Sequence, residues 1–213
     1  MTAIVTIVDY GVGNLFSVCG ALEYCGVETV LATEPDAIEN ADRLLLPGVG
    51  AFGDAMADMR DNSLVEHVLR FVEKGRPLLG ICLGMQMLLT ESEEFGQHEG
   101  LDLIPGGIRA IPPTGSDGRP HCIPHVGWSP LEPHENGEWK STILDDIDHG
   151  TEVYFVHSFS AQPENPKHRL AVCDYNGHTV TAVVQADNVI GCQFHPEKSG
   201  KKGLSIIRNF LSL

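Results

Sequence analysis

RPLLGICLGMQMLL (residues 76–89) runs from a short apolar segment through a cysteine set between glycines and on into residues suited to a helix. Gly80-Ile81-Cys82-Leu83-Gly84 has the form G-x-C-x-G, the thiol counterpart of the G-x-S-x-G nucleophile elbow. A nucleophile at a sharp strand-to-helix turn sits in a strained backbone conformation and needs small neighbours on both sides, which glycines supply. The position also puts the sulfur at the start of the helix expected over MQMLLTE, where the helix dipole and unpaired N–H groups favour thiolate. Taken alone, the pentapeptide fits a buried cysteine between incidental glycines equally well.

Upstream of this stretch the chain alternates two patterns. AIVTIVD (3–9), VETVLAT (27–33), RLLLPG (43–48) and PLLGI (77–81) read as strands. NLFSVCGALEYCG (14–26), PDAIENA (35–41), AFGDAMADMR and LVEHVLRFVEKG read as helices. Such alternation indicates βαβ units and a parallel sheet covered on both faces. From residue 101 the texture changes to short β-like runs: GGIRAI, HVGWSPLE, EVYFVHSFSA and the long LAVCDYNGHTVTAVVQADNVIGCQF, in which YNGH signals a type I′ hairpin. PPTGSDGRP (112–120) has the composition of a mobile surface loop, and KKGLSIIRNFLSL that of an amphipathic helix. The expectation is an α/β fold: one open, mostly parallel sheet with helices on both faces and an antiparallel β extension, residues 1–213 forming a single domain.

Composition narrows the function. With 213 residues, 42% hydrophobic and 20% charged, the chain can bury one sizeable core. It has no stretch long enough for a membrane helix and no basic start resembling a signal peptide, so it reads as cytoplasmic. Six cysteines scattered without a secretory signal read as free thiols rather than a disulfide framework. HCIPH (121–125) and CQFH (192–195) are the nearest approach to metal-ligand fragments, but they lack the compact repeated spacing of zinc sites, and no metal or cofactor is expected. A formal net charge of −15, from 29 acidic against 14 basic residues, argues against nucleic acid and anionic membranes as partners.

A nucleophilic cysteine wants a histidine close by and a third group to orient that ring. CQFHPEKSG (192–200) offers both. If the segment is extended, Phe194 and Pro196 face one side while His195 and Glu197 face the other, and Pro196 biases His195 toward that extended conformation. An oxyanion stabiliser would need the N–H of Leu83, after the nucleophile, and a second N–H from a neighbouring loop. The glycine turn Gly48-Val49-Gly50, ending another strand, is the candidate. Gly48, Gly50 and Gly53 also satisfy the dinucleotide pattern G-x-G-x-x-G, but they follow a third strand rather than opening the chain, which makes the match weak.

PGVG, GICLGMQ and HPEKS, in this order, resemble the class I glutamine amidotransferases. DYGVGN near the start, PHVGW (124–128) and YFVHSF (154–159) resemble the branch that supplies ammonia to a (β/α)8-barrel cyclase in histidine biosynthesis. The resemblance runs nearly end to end. It implies a Cys82, His195, Glu197 triad that hydrolyses glutamine through a glutamyl thioester. It also implies an oxyanion site at Leu83 with Val49 and Gly50, and glutamine contacts from Gln86, Gly50, His157 and Ser158. Asn14, Trp128 and Lys198 would face the cyclase in a heterodimer that makes imidazole glycerol phosphate and aminoimidazole carboxamide ribotide. The segment PPTGSDGRPHCI before PHVGW departs from the branch's pattern without touching a catalytic position. A glutaminase serving another synthase, a γ-glutamyl peptidase and a non-catalytic binding module stay open at this point.

Overall fold

Each apolar run of the N-terminal half becomes an element that buries it. The computed structural model describes residues 4–11, 13–135 and 137–213. Ala3, at the head of the first expected strand, and Val12 of DYGVGN lie outside the described residues. The chain runs β1 (Ile4–Val8), α1 (Leu15–Tyr24), β2 (Glu28–Ala32), α2 (Pro35–Glu39), β3 (Leu44–Leu46), α3 (Phe52–Asp61), α4 (Val65–Glu73), β4 (Leu78–Ile81) and α5 (Leu83–Met87). It continues β5 (Leu89–Ser92), β6 (His98–Glu99), β7 (Ile104–Ala110), β8 (His125–Pro133), β9 (Thr151–His157), β10 (Phe159–Pro163), β11 (Arg169–Tyr175), β12 (His178–Ala186), β13 (Val189–Cys192) and α6 (Gly200–Ser212).

Nine strands form the main sheet in the order β2-β1-β3-β4-β13-β12-β11-β8-β9. The first five are parallel and the remaining pairings antiparallel, the expected α/β sheet with its β extension. The period of two along a strand divides the core. Leu45, Leu79 and Ile190 point to the face covered by α1 and α6, while Leu44, Leu46, Leu78 and Val189 point to the face covered by α3, α4 and α5. Strands β3, β4 and β13 are adjacent, with Leu46 opposite Gly80 and Ile81 opposite Cys192. The Gly48–Gly50 turn, Cys82 and His195 therefore leave the sheet at one C-terminal edge.

Four features differ from the sequence reading. The helix expected over MQMLLTE ends at Met87, because the main-chain carbonyls of Met87, Leu88 and Thr90 accept N–H groups from residues 100–104, and Leu89 pairs with Ile104 as the chain enters β5. EVYFVHSFSA is two strands: β9 ends the main sheet, and after Ser158 the chain crosses as β10 into a second, four-stranded sheet, β10-β7-β5-β6. That second sheet was not foreseen, since strand pairing is not written in hydropathy. The 112–120 segment is a surface loop, as its composition suggests, in which Thr114 bridges Pro120 and the Ser116 N–H bonds the carbonyl of Asn176 at 3.0 Å. Pro196–Lys198 form a 3₁₀ turn rather than an extended strand end. The YNGH hairpin has its type I′ signature, with φ of 53° at Asn176 and 83° at Gly177.

The glycines around Cys82 are explained by close approach. A Cβ on Gly84 would sit 1.9 Å from the Leu46 carbonyl oxygen, and one on Gly80 2.7 Å from that of Gly84. Gly84→Ala is therefore expected to destabilise the chain by the upper end of ~1–3 kcal/mol, because the obstacle is main chain that cannot swing aside. Denaturant unfolding of the purified variant checks this.

Candidate active site

Cys82 occupies the bend itself. Its φ of 55° and ψ of −110° are a conformation that side chains other than glycine rarely adopt. The bend is held by the Cys82 N–H on the Cys192 carbonyl at 2.8 Å and by the Gln86 N–H on the Cys82 carbonyl at 3.1 Å. Leu83 follows at the first position of α5.

His195 is fixed from three sides. Its main-chain N–H bonds the Tyr154 carbonyl of β9 at 2.9 Å. The Ser199 hydroxyl donates to the His195 carbonyl at 2.7 Å and accepts the Tyr154 N–H at 3.0 Å, so one buried serine ties the histidine segment to β9. The ring Nδ1–H donates to Glu197 Oε1 at 2.8 Å, with both side chains almost wholly buried. Nε2 has no hydrogen-bond partner, and the ring lines a cavity beside Cys82. Burial works against a charged ring, but the contacts with the Cys82 thiol and the Glu197 carboxylate outweigh it and carry the His195 pKa up to about 9.

The cavity has a volume of about 340 Å³. Val49, Gly50, Leu83 and Gln86 line it together with Cys82, and His157 and Ser158 form part of the opposite wall. The Tyr10 phenol, kept protonated by burial, donates to the Pro47 carbonyl at 2.8 Å beneath the Gly48–Gly50 turn. Asn14, Trp128 and Lys198 do not line the cavity. Asn14 precedes α1, which packs on the Pro196–Lys198 turn. Trp128 is half exposed on β8 with its ring edge on Tyr154, and Lys198 is exposed.

His157 brings an unexpected constraint. Its Nδ1–H donates to the Phe159 carbonyl at 2.8 Å, and its Nε2 accepts from His125 Nδ1 at 3.0 Å. His125 Nε2 in turn accepts from the Ser129 hydroxyl at 2.9 Å, while its ring lies stacked between Phe155 and Tyr175. Burial pushes both histidines down to about 4, so the pair is neutral. Both ring nitrogens of His157 are thus engaged within the protein.

The sequence reading passed over Ser199, Tyr10 and Glu94. The Glu94 carboxylate accepts the Phe52 N–H at 2.7 Å and lines the cavity. TESEEFG (90–96) carries three acidic residues, and no local signal separates Glu94 from Glu91 and Glu93. Among the described residues no cluster of three or more His, Cys, Asp or Glu could hold a metal ion, and no helix is long and apolar enough to cross a membrane.

Comparison with known proteins shows the family. The family description "Glutamine amidotransferase class-I" matches residues 6–213. The chain is similar to "Imidazole glycerol phosphate synthase subunit HisH 1" of Legionella pneumophila (strain Paris), with 53% identity over 210 residues, 98% of this chain and 99% of the relative. It is 45% identical over 207 residues to subunit HisH of Syntrophotalea carbinolica, covering 97% of this chain and 98% of that one. Among solved structures, PurLQS from Thermotoga maritima superposes with a TM-score of 0.73 at 20% identity, covering 100% of this chain and 99% of its own, a likeness of fold.

Two outcomes are expected from the histidine network. In an NMR titration His195 loses its proton near pH 9, and in Cys82→Ala its midpoint falls because two of the contributions that raise it disappear; His125 and His157 stay neutral down to about pH 4. The sign for stability follows. The His195 contribution is complete below the ordinary value of 6.5 and is lost as pH rises through about 9, whereas those of His125 and His157 are complete above 6.5 and are lost as pH falls toward 4. Ser199→Ala strands the Tyr154 N–H and the His195 carbonyl, and unfolding measurements should find a loss of ~1–3 kcal/mol.

Proposed function

The chain belongs to the class I glutamine amidotransferases, and on that premise we propose that it is the glutaminase half of an imidazole glycerol phosphate synthase, a single domain that hydrolyses glutamine and passes the ammonia to a cyclase. The observation that carries this reading is the His195 ring, bonded to Glu197 on one side and set against Cys82 on the other at the wall of a cavity.

The Cys82 sulfur attacks the side-chain amide carbon of glutamine, and the carbonyl π electrons move onto oxygen. The Leu83 N–H and a main-chain N–H of the Val49–Gly50 turn meet that oxyanion; losing one such donor lowers the rate by ~10²–10³-fold. His195, charged at neutral pH, gives its Nε2 proton to the departing nitrogen as the C–N bond breaks, which releases ammonia and leaves a glutamyl thioester. The neutral ring then takes a proton from water as the water oxygen attacks the thioester. The C–S bond breaks, glutamate leaves, and the thiolate and imidazolium are restored. Glu197 holds the ring orientation through Nδ1 and supports its charged form.

Glutamine lies along Gly50, Gln86, His157 and Ser158. With both His157 nitrogens engaged, that residue contacts substrate through its ring edge and main chain. Glu94 supplies negative charge at the cavity wall to meet the substrate's α-ammonium group.

Ammonia is lost to solvent unless a partner covers the exit. That partner is a (β/α)8-barrel cyclase that makes imidazole glycerol phosphate and aminoimidazole carboxamide ribotide in the cytoplasm, paired with this chain as a heterodimer. Asn14, Trp128 and Lys198 face it. The large exposed side chains of Phe16, Val126 and Trp128 support an interface on this side. Isolated chain is expected to hydrolyse glutamine slowly, because the Val49 turn is set by the liganded cyclase.

Labelling with a glutamine-like electrophile, followed by mass spectrometry, tests the reading. The adduct should fall on Cys82, vanish in Cys82→Ala, and form faster with the cyclase and its ligand present. An adduct elsewhere, or full activity of the lone chain, counts against it.

A further inference from the structure

Gln193 is completely buried, one residue beyond β13, and takes no part in the chemistry described so far. Its side chain lies between two groups that do. Gln86 Nε2 donates to Gln193 Oε1 at 3.0 Å, and Gln193 Nε2 donates to the Cys82 sulfur at 3.7 Å. Gln86 Nε2 also donates to the Phe159 carbonyl at 3.2 Å.

The direction of this chain is dictated at one end. A main-chain carbonyl can only accept, so Gln86 must present its amide nitrogen to Phe159. That nitrogen then faces Gln193, which must answer with its oxygen, because the flipped amide would set donor against donor. Gln193 is left with its N–H groups toward Cys82. The sulfur is held as an acceptor, the role of a thiolate. The same carbonyl accepts His157 Nδ1–H, so its two lone pairs fix the polarity of both buried chains around the cavity. Gln86, with its nitrogen directed inward, keeps only Oε1 for substrate.

We propose that Gln193 is a positioning residue for the nucleophile: its amide N–H holds the Cys82 sulfur as a hydrogen-bond acceptor, in a polarity set by the Phe159 carbonyl through Gln86. Among the described residues the sulfur also lies 3.9 Å from the Val156 carbonyl, to which a thiol can donate but which cannot stabilise negative charge. Gln193 is thus an uncharged side chain placed to donate to the sulfur. The bond weakens once the sulfur is acylated, so its effect falls on the free enzyme and on the attack step. This inference rests on Cys82 being the nucleophile.

The test is the pH dependence of Cys82 alkylation by iodoacetamide in the full chain, with modified peptides quantified by mass spectrometry. Gln193→Met removes the donor at similar volume and should move the midpoint upward by about 1–2 pH units. Gln193→Glu, which also adds a like charge, should move it further. With the cyclase bound, kcat should fall while KM for glutamine changes little. A folded Gln193→Met chain whose midpoint stays within about 0.3 unit of the native one overturns the proposal, because a purely structural role lowers thermal stability without moving the midpoint. If Gln193→Met does not fold, Gln86→Met releases the Gln193 amide from the other end and should shift the midpoint the same way; no shift there also overturns it. Failure of the nucleophile reading looks different. In that case native Cys82 is alkylated no faster than exposed Cys122, whatever the variants do.

Discussion

Strands β4 and β13 lie side by side in parallel, Ile81 against Cys192, although more than a hundred residues separate them in the chain. Parallel neighbours end at the same edge, so the residues that follow them, Cys82 and the Gln193–His195 segment, are delivered to one place by main-chain hydrogen bonds alone. The Cys82 N–H continues this ladder by bonding the Cys192 carbonyl. Side-chain contacts then need only adjust the last few ångströms. A slip of one residue between these strands would turn the Cys82 side chain away from His195.

The bend at Cys82 is a strained conformation, and what holds it is packing with no room for adjustment. Gly84 lies against the Leu46 carbonyl, and Gly48 against Leu83 and the start of α5, so β3, β4 and α5 touch through main chain. Strain of this kind persists only where the surroundings over-determine it. The price in sequence freedom is three positions, 48, 80 and 84, where any side chain collides with backbone.

Around this rigid frame the buried polar groups form directed chains rather than isolated pairs. One leads from the Phe159 carbonyl through Gln86 and Gln193 to the sulfur. Another leads from the same carbonyl through His157 and His125 to Ser129. Such chains resist reorientation because turning one member strands its neighbours in a low-dielectric interior. His195 alone among these buried rings carries charge, because it has a carboxylate and a thiol beside it, where His125 lies stacked on aromatic rings and His157 is bonded to neutral groups.

Four of the five parallel strands, the elbow and the asparagine-glycine hairpin were legible in the residues alone, whereas β13 was read as part of the antiparallel extension and lies parallel to β4. Each legible feature rests on a local rule: apolar runs between helical periods, glycines around a bend, or two residues that tolerate positive φ. The sequence also placed Cys82, His195 and Glu197 as candidates, since short-range spacing reports their chemistry. Long-range packing set the rest: Ser158 breaks one apparent strand into members of two sheets, and Leu89 leaves helical periodicity to pair with Ile104. Likewise it made His195 and Glu197 meet across a 3₁₀ turn rather than along a strand. It alone gave Ser199, Gln193 and Glu94 their positions. The physical reason is that hydrogen-bond partners distant in the chain leave no periodic trace, whereas burial and backbone conformation do.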